Sequence, residues 1–173
     1  AASDVYKRQV ILILNNIICM PLWSAFTEAY VKKDFIWIRN IIKKMLIVFV
    51  FWILVGGIML IGSNTIYGLW TGMELNIPYS LSAVVYLFML TCCWNGIFIA
   101  FINGIGKIQL QVLLSILPIL LMLPLSKLLI SVFHFGVTGI VLCMLLFNII
   151  SSLMISIQVW KILRGTDRGI WAK

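Results

Sequence analysis

Eight polar side chains interrupt the long apolar runs of this sequence: Asn15, Asn16, Asn95, Asn103, Asn148, Ser151, Ser152 and Gln158. They are hydrogen-bond donors and acceptors, not acids, bases or nucleophiles, so they suit binding and lining. Facing hydrocarbon, each would cost free energy, so each should turn toward another helix or a wet cavity. Taken together they are what a transport path through a helix bundle would leave in a sequence, and Asn15, Asn16, Asn95 and Asn148 are the strongest candidates to line it. Lys127 is the one ionisable residue clearly within an apolar run. At mid-bilayer a lysine costs about 2.5 to 3.5 kcal/mol on insertion scales. Lys127 lies close to the end of its run, and two readings stand: it snorkels outward, or it faces the cavity and attracts an anionic substrate.

The remaining reactive residue types form no catalytic set. His134 is the only histidine, and no carboxylate pair, Gly-rich phosphate loop or nucleophile motif occurs. Cys19, Cys92, Cys93 and Cys143 all lie in apolar runs without metal-site spacing and read as small buried hydrophobes. The expectation is a protein that is not an enzyme and carries no metal and no cofactor.

What positions these residues is a membrane. With 63% hydrophobic residues, 10% charged and a mean hydropathy of +1.14, the chain has too little polar surface to cover a soluble globule. A hydrocarbon core about 30 Å thick needs about 20 helical residues. Five runs meet that length: 10–27, 45–62, 81–103, 112–133 and 137–160. Their length without alternation favours helices over strands. The expected fold is all-α, a polytopic membrane helix bundle of about five transmembrane helices over residues 10–160, followed by a basic cytoplasmic tail, 161–173.

The net charge of +8 does not indicate nucleic acid, because the basic residues sit between the apolar runs. Lys and Arg number five in 28–44, none in 63–80, one at the Lys107 turn, none at the His134 turn and four from Lys161 onward. Sidedness therefore alternates in, out, in, out, in, with the C-terminus cytoplasmic. Lys7 and Arg8 run against this alternation. The first nine residues, AASDVYKRQ, resemble a translated sequencing adapter, and residues 1–9 are set apart as a non-native leader. The odd number of spans, the absence of an initiator Met and the entry from outside suggest the C-terminal part of a longer protein.

The segment MPLWSAFTEAYVKKDFIWIRN, residues 20–40, carries the densest charge. If it is helical from Val31, then Val31, Phe35, Ile38 and Ile42 share one face, with Lys32, Arg39 and Lys43 on a flank and Lys33 and Lys44 beyond. That pattern predicts an amphipathic helix in the inner interface anchored by Tyr30 and Trp37, or else simply a topogenic basic loop. Gly56 and Gly57 allow close approach or a bend, Pro118 and Pro124 should break or kink the fourth span, and Tyr67, Trp70, Tyr79 and Trp160 mark the membrane boundaries.

Four stretches, PLWSAFTEAYVKKDFIWIRN, LWTG (69–72), FINGIGKIQLQ (101–111) and LPLSKLLISVFHFGVTGIVL (123–142), resemble the C-terminal half of bacterial Wzx-type polysaccharide flippases. These are the O-antigen and repeat-unit transporters of the MATE-like multidrug/oligosaccharidyl-lipid/polysaccharide (MOP) exporter superfamily. The resemblance runs from about Val10 to Trp160. Its most specific parts are Pro21, Trp23, Thr27 and Glu28 before the basic loop, and the turn Asn103, Gly104, Gly106 and Lys107.

The resemblance implies twelve to fourteen helices in two lobes around a central cavity, of which these five would be the last five if there are twelve. It implies transfer of undecaprenyl-pyrophosphate-linked oligosaccharide across the bacterial inner membrane, with membrane lipids and the N-terminal half of the same chain as further partners. A sugar-pyrophosphate head group cannot cross hydrocarbon unaided, so such a protein offers a hydrated cavity open to one side at a time. Five helices line one side of such a cavity, so this stretch alone should not transport. The rivals are a cation-coupled drug exporter, which wants a carboxylate inside a span, a lipid II flippase, and a non-transporting membrane assembly subunit.

Overall fold

A computed structural model describes residues 2–62, 79–131 and 136–172, with side chains from Val10 onward. The side chains of Lys7 and Arg8, the LWTG stretch with Trp70, and Tyr67, Glu74 and His134 lie outside the described residues.

The protein is an all-α polytopic helix bundle. Among the described residues its helices are α1 (Ala2–Cys19), α2 (Leu22–Val31), α3 (Phe35–Ile61), α4 (Tyr79–Ile105), α5 (Gln109–Ser131) and α6 (Gly136–Leu163), followed by a 3₁₀ turn, Gly169–Ala172. Among the described residues five helical segments are long and apolar enough to cross a membrane: Val10–Val31, Phe35–Ile61, Tyr79–Ile105, Gln109–Ser131 and Gly136–Leu163. The 27 residues of α3 rise about 40 Å, more than the hydrocarbon thickness, so its first turns reach into the interface.

The boundaries differ from the expected ones in four places. The first span is not one helix: α1 ends at Cys19 and α2 starts after Pro21, which occupies the N-cap position. Proline cannot donate the backbone hydrogen bond that would continue α1 but fits a helix start. Second, α1 runs back to Ala2 through the residues set apart as a leader. Third, no separate interfacial helix begins at Val31. That residue is 77% exposed, off the Phe35, Ile38 and Ile42 face, because the chain turns at Lys33 and Asp34. From Phe35 a single helix continues through the span, so Arg39, Lys43 and Lys44 stand on its first turns. Fourth, Pro118 and Pro124 leave α5 unbroken. Each removes one backbone donor from a helix that otherwise keeps its ladder.

The turn at Lys33 explains the reset. Asp34 N donates to Ala29 O (2.9 Å) and Lys33 N to Tyr30 O (3.0 Å), with Lys33 at φ 58°. This is a Schellman closure of α2. The Asp34 carboxylate then accepts from Trp37 N at 2.9 Å and starts α3. The same closure ends α4 at Gly106 (φ 74°) and α6 at Gly165 (φ 67°). Among the described residues, only at Lys33 does a side chain sit in the left-handed region, at a cost of about 1 to 2 kcal/mol.

α4 is the hub, packed against α1, α2, α3 and α6, while α5 lies chiefly on α6. Phe26, Ile38, Ile97, Phe101, Ile102, Ile155 and Val159 form the main core, and Ile11, Trp52, Met89 and Cys93 a second cluster toward the other end of α4. Gly56 serves close approach: a Cβ there would lie 2.5 Å from the Tyr86 ring.

Candidate functional site

The connections after α2, α4 and α6 meet at one pole. Gly104 lets α2 cross α4 so closely that a Cβ there would lie 2.8 Å from the backbone oxygen of Trp23. The Thr27 hydroxyl exploits that approach, shared as a donor between Gly104 O (2.6 Å) and Trp23 O (3.1 Å). Trp23, Thr27 and Gly104, singled out from distant parts of the sequence, are thus one contact. Beside it Met20, Trp23, Ser24, Thr27 and Glu28 line an open depression of about 600 Å³. Of the other motif residues, Pro21 starts α2, Asn103 supplies the carbonyl that closes the Gly106 turn, and exposed Glu28 pairs with Lys32 at 2.5 Å.

Tyr30 and Trp37 are built into an aromatic cluster. Phe26 packs edge-on against Trp37 (6.0 Å) and Phe101 (5.4 Å), and Tyr30 against Phe35 (6.0 Å) and Phe101 (6.4 Å). The aromatic cluster binds α2, α3 and α4 into one block. Around it stands the basic set. Lys32, Lys33, Lys43 and Lys44 are exposed, while Arg39 donates to Leu163 O at the end of α6 (2.7 Å).

Lys107 has the richest surroundings. Its ammonium donates to Asp167 Oδ2 at 2.6 Å, in a pair less than a fifth exposed on either side, and lies 5.7 Å from the centre of the Tyr30 ring. Burial alone would lower its pKa. Hydrogen bonds and charge from Asp167 and Tyr30 more than reverse that, holding the ammonium above its ordinary range. Fully buried Gln158 donates from Nε2 to Lys107 O (3.1 Å) and to Trp171 O (3.4 Å).

Deeper in the bundle, α4 and α6 share a polar seam. Asn95 Nδ2 donates to Asn148 Oδ1 (3.1 Å) and Ser151 Oγ (3.4 Å), Asn148 Nδ2 approaches Cys92 Sγ (2.8 Å), and Trp94 Nε1 donates to Ser156 Oγ (3.0 Å). Ser152 Oγ reaches Thr91 O at 3.4 Å. Asn95 Oδ1 is buried with no partner, an acceptor left open. The other candidates lie apart. Buried Asn15 points its amide at Cys19 Sγ (3.8 Å) and lies against Gly96, and Asn16 is exposed. Lys127 is exposed on α5, and among the described residues no side chain pairs with its ammonium. Among the same residues no group of His, Cys, Asp or Glu has the arrangement of a metal site.

Sequence reasoning paired Asn95 with no particular neighbour and overlooked Asp167 and Trp171. The available signal was that Asp167 is the one acid of the tail, set between Gly165 and Gly169. No protein-family model, curated protein or solved structure matches the chain.

Proposed function

We propose that the chain forms one lobe of a polysaccharide flippase, passing undecaprenyl-pyrophosphate-linked oligosaccharide across the bacterial inner membrane, with its C-terminus in the cytoplasm. The observation that supports the reading is the contact of Trp23 and Thr27 with Gly104. The two stretches most specific to the flippase resemblance are 77 residues apart at that hydrogen bond, yet they meet at a single helix crossing. The polar seam at Asn95 and Asn148 supplies hydroxyl-compatible donors and acceptors in an apolar bundle, as a sugar-bearing cargo requires. The basic pole supplies positive charge where a pyrophosphate would enter. A cation-coupled exporter is less favoured, because among the described residues Glu28 is the one carboxylate in the segments long enough to span, and it lies in the last turns of α2, exposed and paired.

The test is complementation. The full reading frame is expressed in a bacterium lacking its own O-antigen flippase, and surface polysaccharide is scored with the natural sequence and with Lys127→Ala. The reading expects polysaccharide to be restored. Loss in the Lys127 variant at equal protein level assigns that lysine to the cavity, and retention assigns it to the outer interface. A well-expressed protein that restores no polysaccharide with any repeat unit offered, yet confers drug efflux, would overturn the reading.

A further inference from the structure

Residues 166–172 fold back from the end of α6 and lie across the α4–α5 turn, and beyond Thr166, whose hydroxyl donates to Lys161 O (3.3 Å), their contacts are chemically one-sided. The strap contributes electron-rich groups: the Asp167 carboxylate, the Trp171 backbone carbonyl and the Trp171 ring face. The body answers with donors and cations. Lys107 Nζ takes the carboxylate at 2.6 Å, Gln158 Nε2 takes the carbonyl at 3.4 Å, and Lys161 Nζ lies 4.0 Å from the ring centre. Lys107 Nζ also lies over the Tyr30 ring, 5.7 Å from its centre. Glycines at positive φ, Gly165 (67°) just before the segment and Gly169 (62°) within it, on either side of Asp167, give it two hinge points that cost no side-chain strain.

From this the geometry points to an anion-binding site beneath the strap, formed by Lys107, Lys161, Gln158 and Tyr30, for which a phosphate-bearing group competes with the strap as an internal ligand. The surface is electropositive beyond what Asp167 neutralises, because Arg39, Arg164 and Arg168 stand on the same pole against this one carboxylate of the tail. A phosphate oxygen offers what Asp167 offers, with more charge and more acceptor positions. When the strap lifts, Lys161 loses its ring contact and Gln158 its second acceptor, so two further groups are freed to face an incoming anion. The strap lowers apparent affinity by the fraction of time it is shut. This site stands whether or not a lipid-linked sugar is the cargo, since it rests on the strap contacts and not on the seam.

The experiment is titration of inorganic pyrophosphate, by calorimetry at low salt, into the full chain in phosphatidylcholine nanodiscs. Asp167→Asn removes the competing carboxylate and tightens binding about tenfold. Trp171→Ala, which changes no charge, tightens it in the same direction. Lys107→Gln abolishes binding, and Lys107→Gln with Asp167→Asn, whose amides can still hydrogen-bond, serves as the folded control that also does not bind. A parallel arm in discs containing phosphatidylglycerol separates the sources: pyrophosphate binding lost there identifies a lipid head group as the occupant, and binding retained identifies a soluble phosphate. Binding unchanged or weaker in Trp171→Ala, whatever Asp167→Asn does, would overturn the competition, as would full binding by Lys107→Gln or none by any variant.

Discussion

At Gly104 a hydrogen atom occupies the space where any other residue would carry carbon, and the neighbour on that side is backbone, which cannot rotate away. Gly104→Ala therefore forces α2 off α4 and strains the Thr27 hydrogen bond, with an expected loss of about 1 to 3 kcal/mol. Gly57→Ala is its control, because a Cβ at Gly57 meets only the Tyr86 hydroxyl at 3.6 Å, and its effect should stay within about 0.5 kcal/mol. Thermal unfolding of both variants in the same detergent checks the difference, and equal melting temperatures would remove Gly104 from its packing role. The sequence flagged Gly104 only as part of a motif. Its neighbours Trp23 and Thr27 are far away along the chain, and helix periodicity carries no information about which face crosses which.

Among the elements, α4 and α6 are joined by polar side chains where a pair of lipid-immersed helices would ordinarily rely on close packing. Apolar side chains gain little by exchanging lipid for protein, so hydrogen bonds such as Asn95 to Asn148 help fix which faces of the two helices meet. A double-mutant cycle with Asn95→Ala and Asn148→Ala should show a favourable coupling of about 0.6 to 1.7 kcal/mol, read from unfolding in mixed micelles. Zero coupling would mean that the two amides merely lie near each other. The helices themselves were legible in the sequence: the runs at 81–103, 112–133 and 137–160 lie within three residues of α4, α5 and α6 at each end. The first two runs were read less well, for local reasons. Pro21 divides one, and the basic residues that mask the start of the other belong to a helix whose early turns lie in the interface, where apolarity is no guide to helicity. The seam was visible as isolated polar letters, but pairing them requires the rotation of α6 about α4, which apolar patterning on all sides of both helices does not specify.

On the scale of the whole molecule, the pole carrying Lys32, Lys107 and Asp167 gathers the connections that charge counting assigns to the cytoplasm. Single cysteines at Lys44, Ile108 and Arg168, introduced with the native cysteines replaced by Ser or Ala, should all be labelled by an impermeant maleimide from one membrane face, and a cysteine at Tyr79 from the opposite face. Labelling of Ile108→Cys and Arg168→Cys from different faces would contradict both the charge alternation and the Lys107–Asp167 contact. The tail was legible as basic and no more, because its one acid and its tryptophan act on partners some 10 to 60 residues earlier. The strap also sets a load path. Tension applied at the C-terminus does not peel α6 open one hydrogen bond at a time. It passes first through Asp167 and Trp171 into the α4–α5 turn, with Arg39 bracing the α6 terminus from α3, so a pull at one end of the chain is shared by helices drawn from almost its whole length.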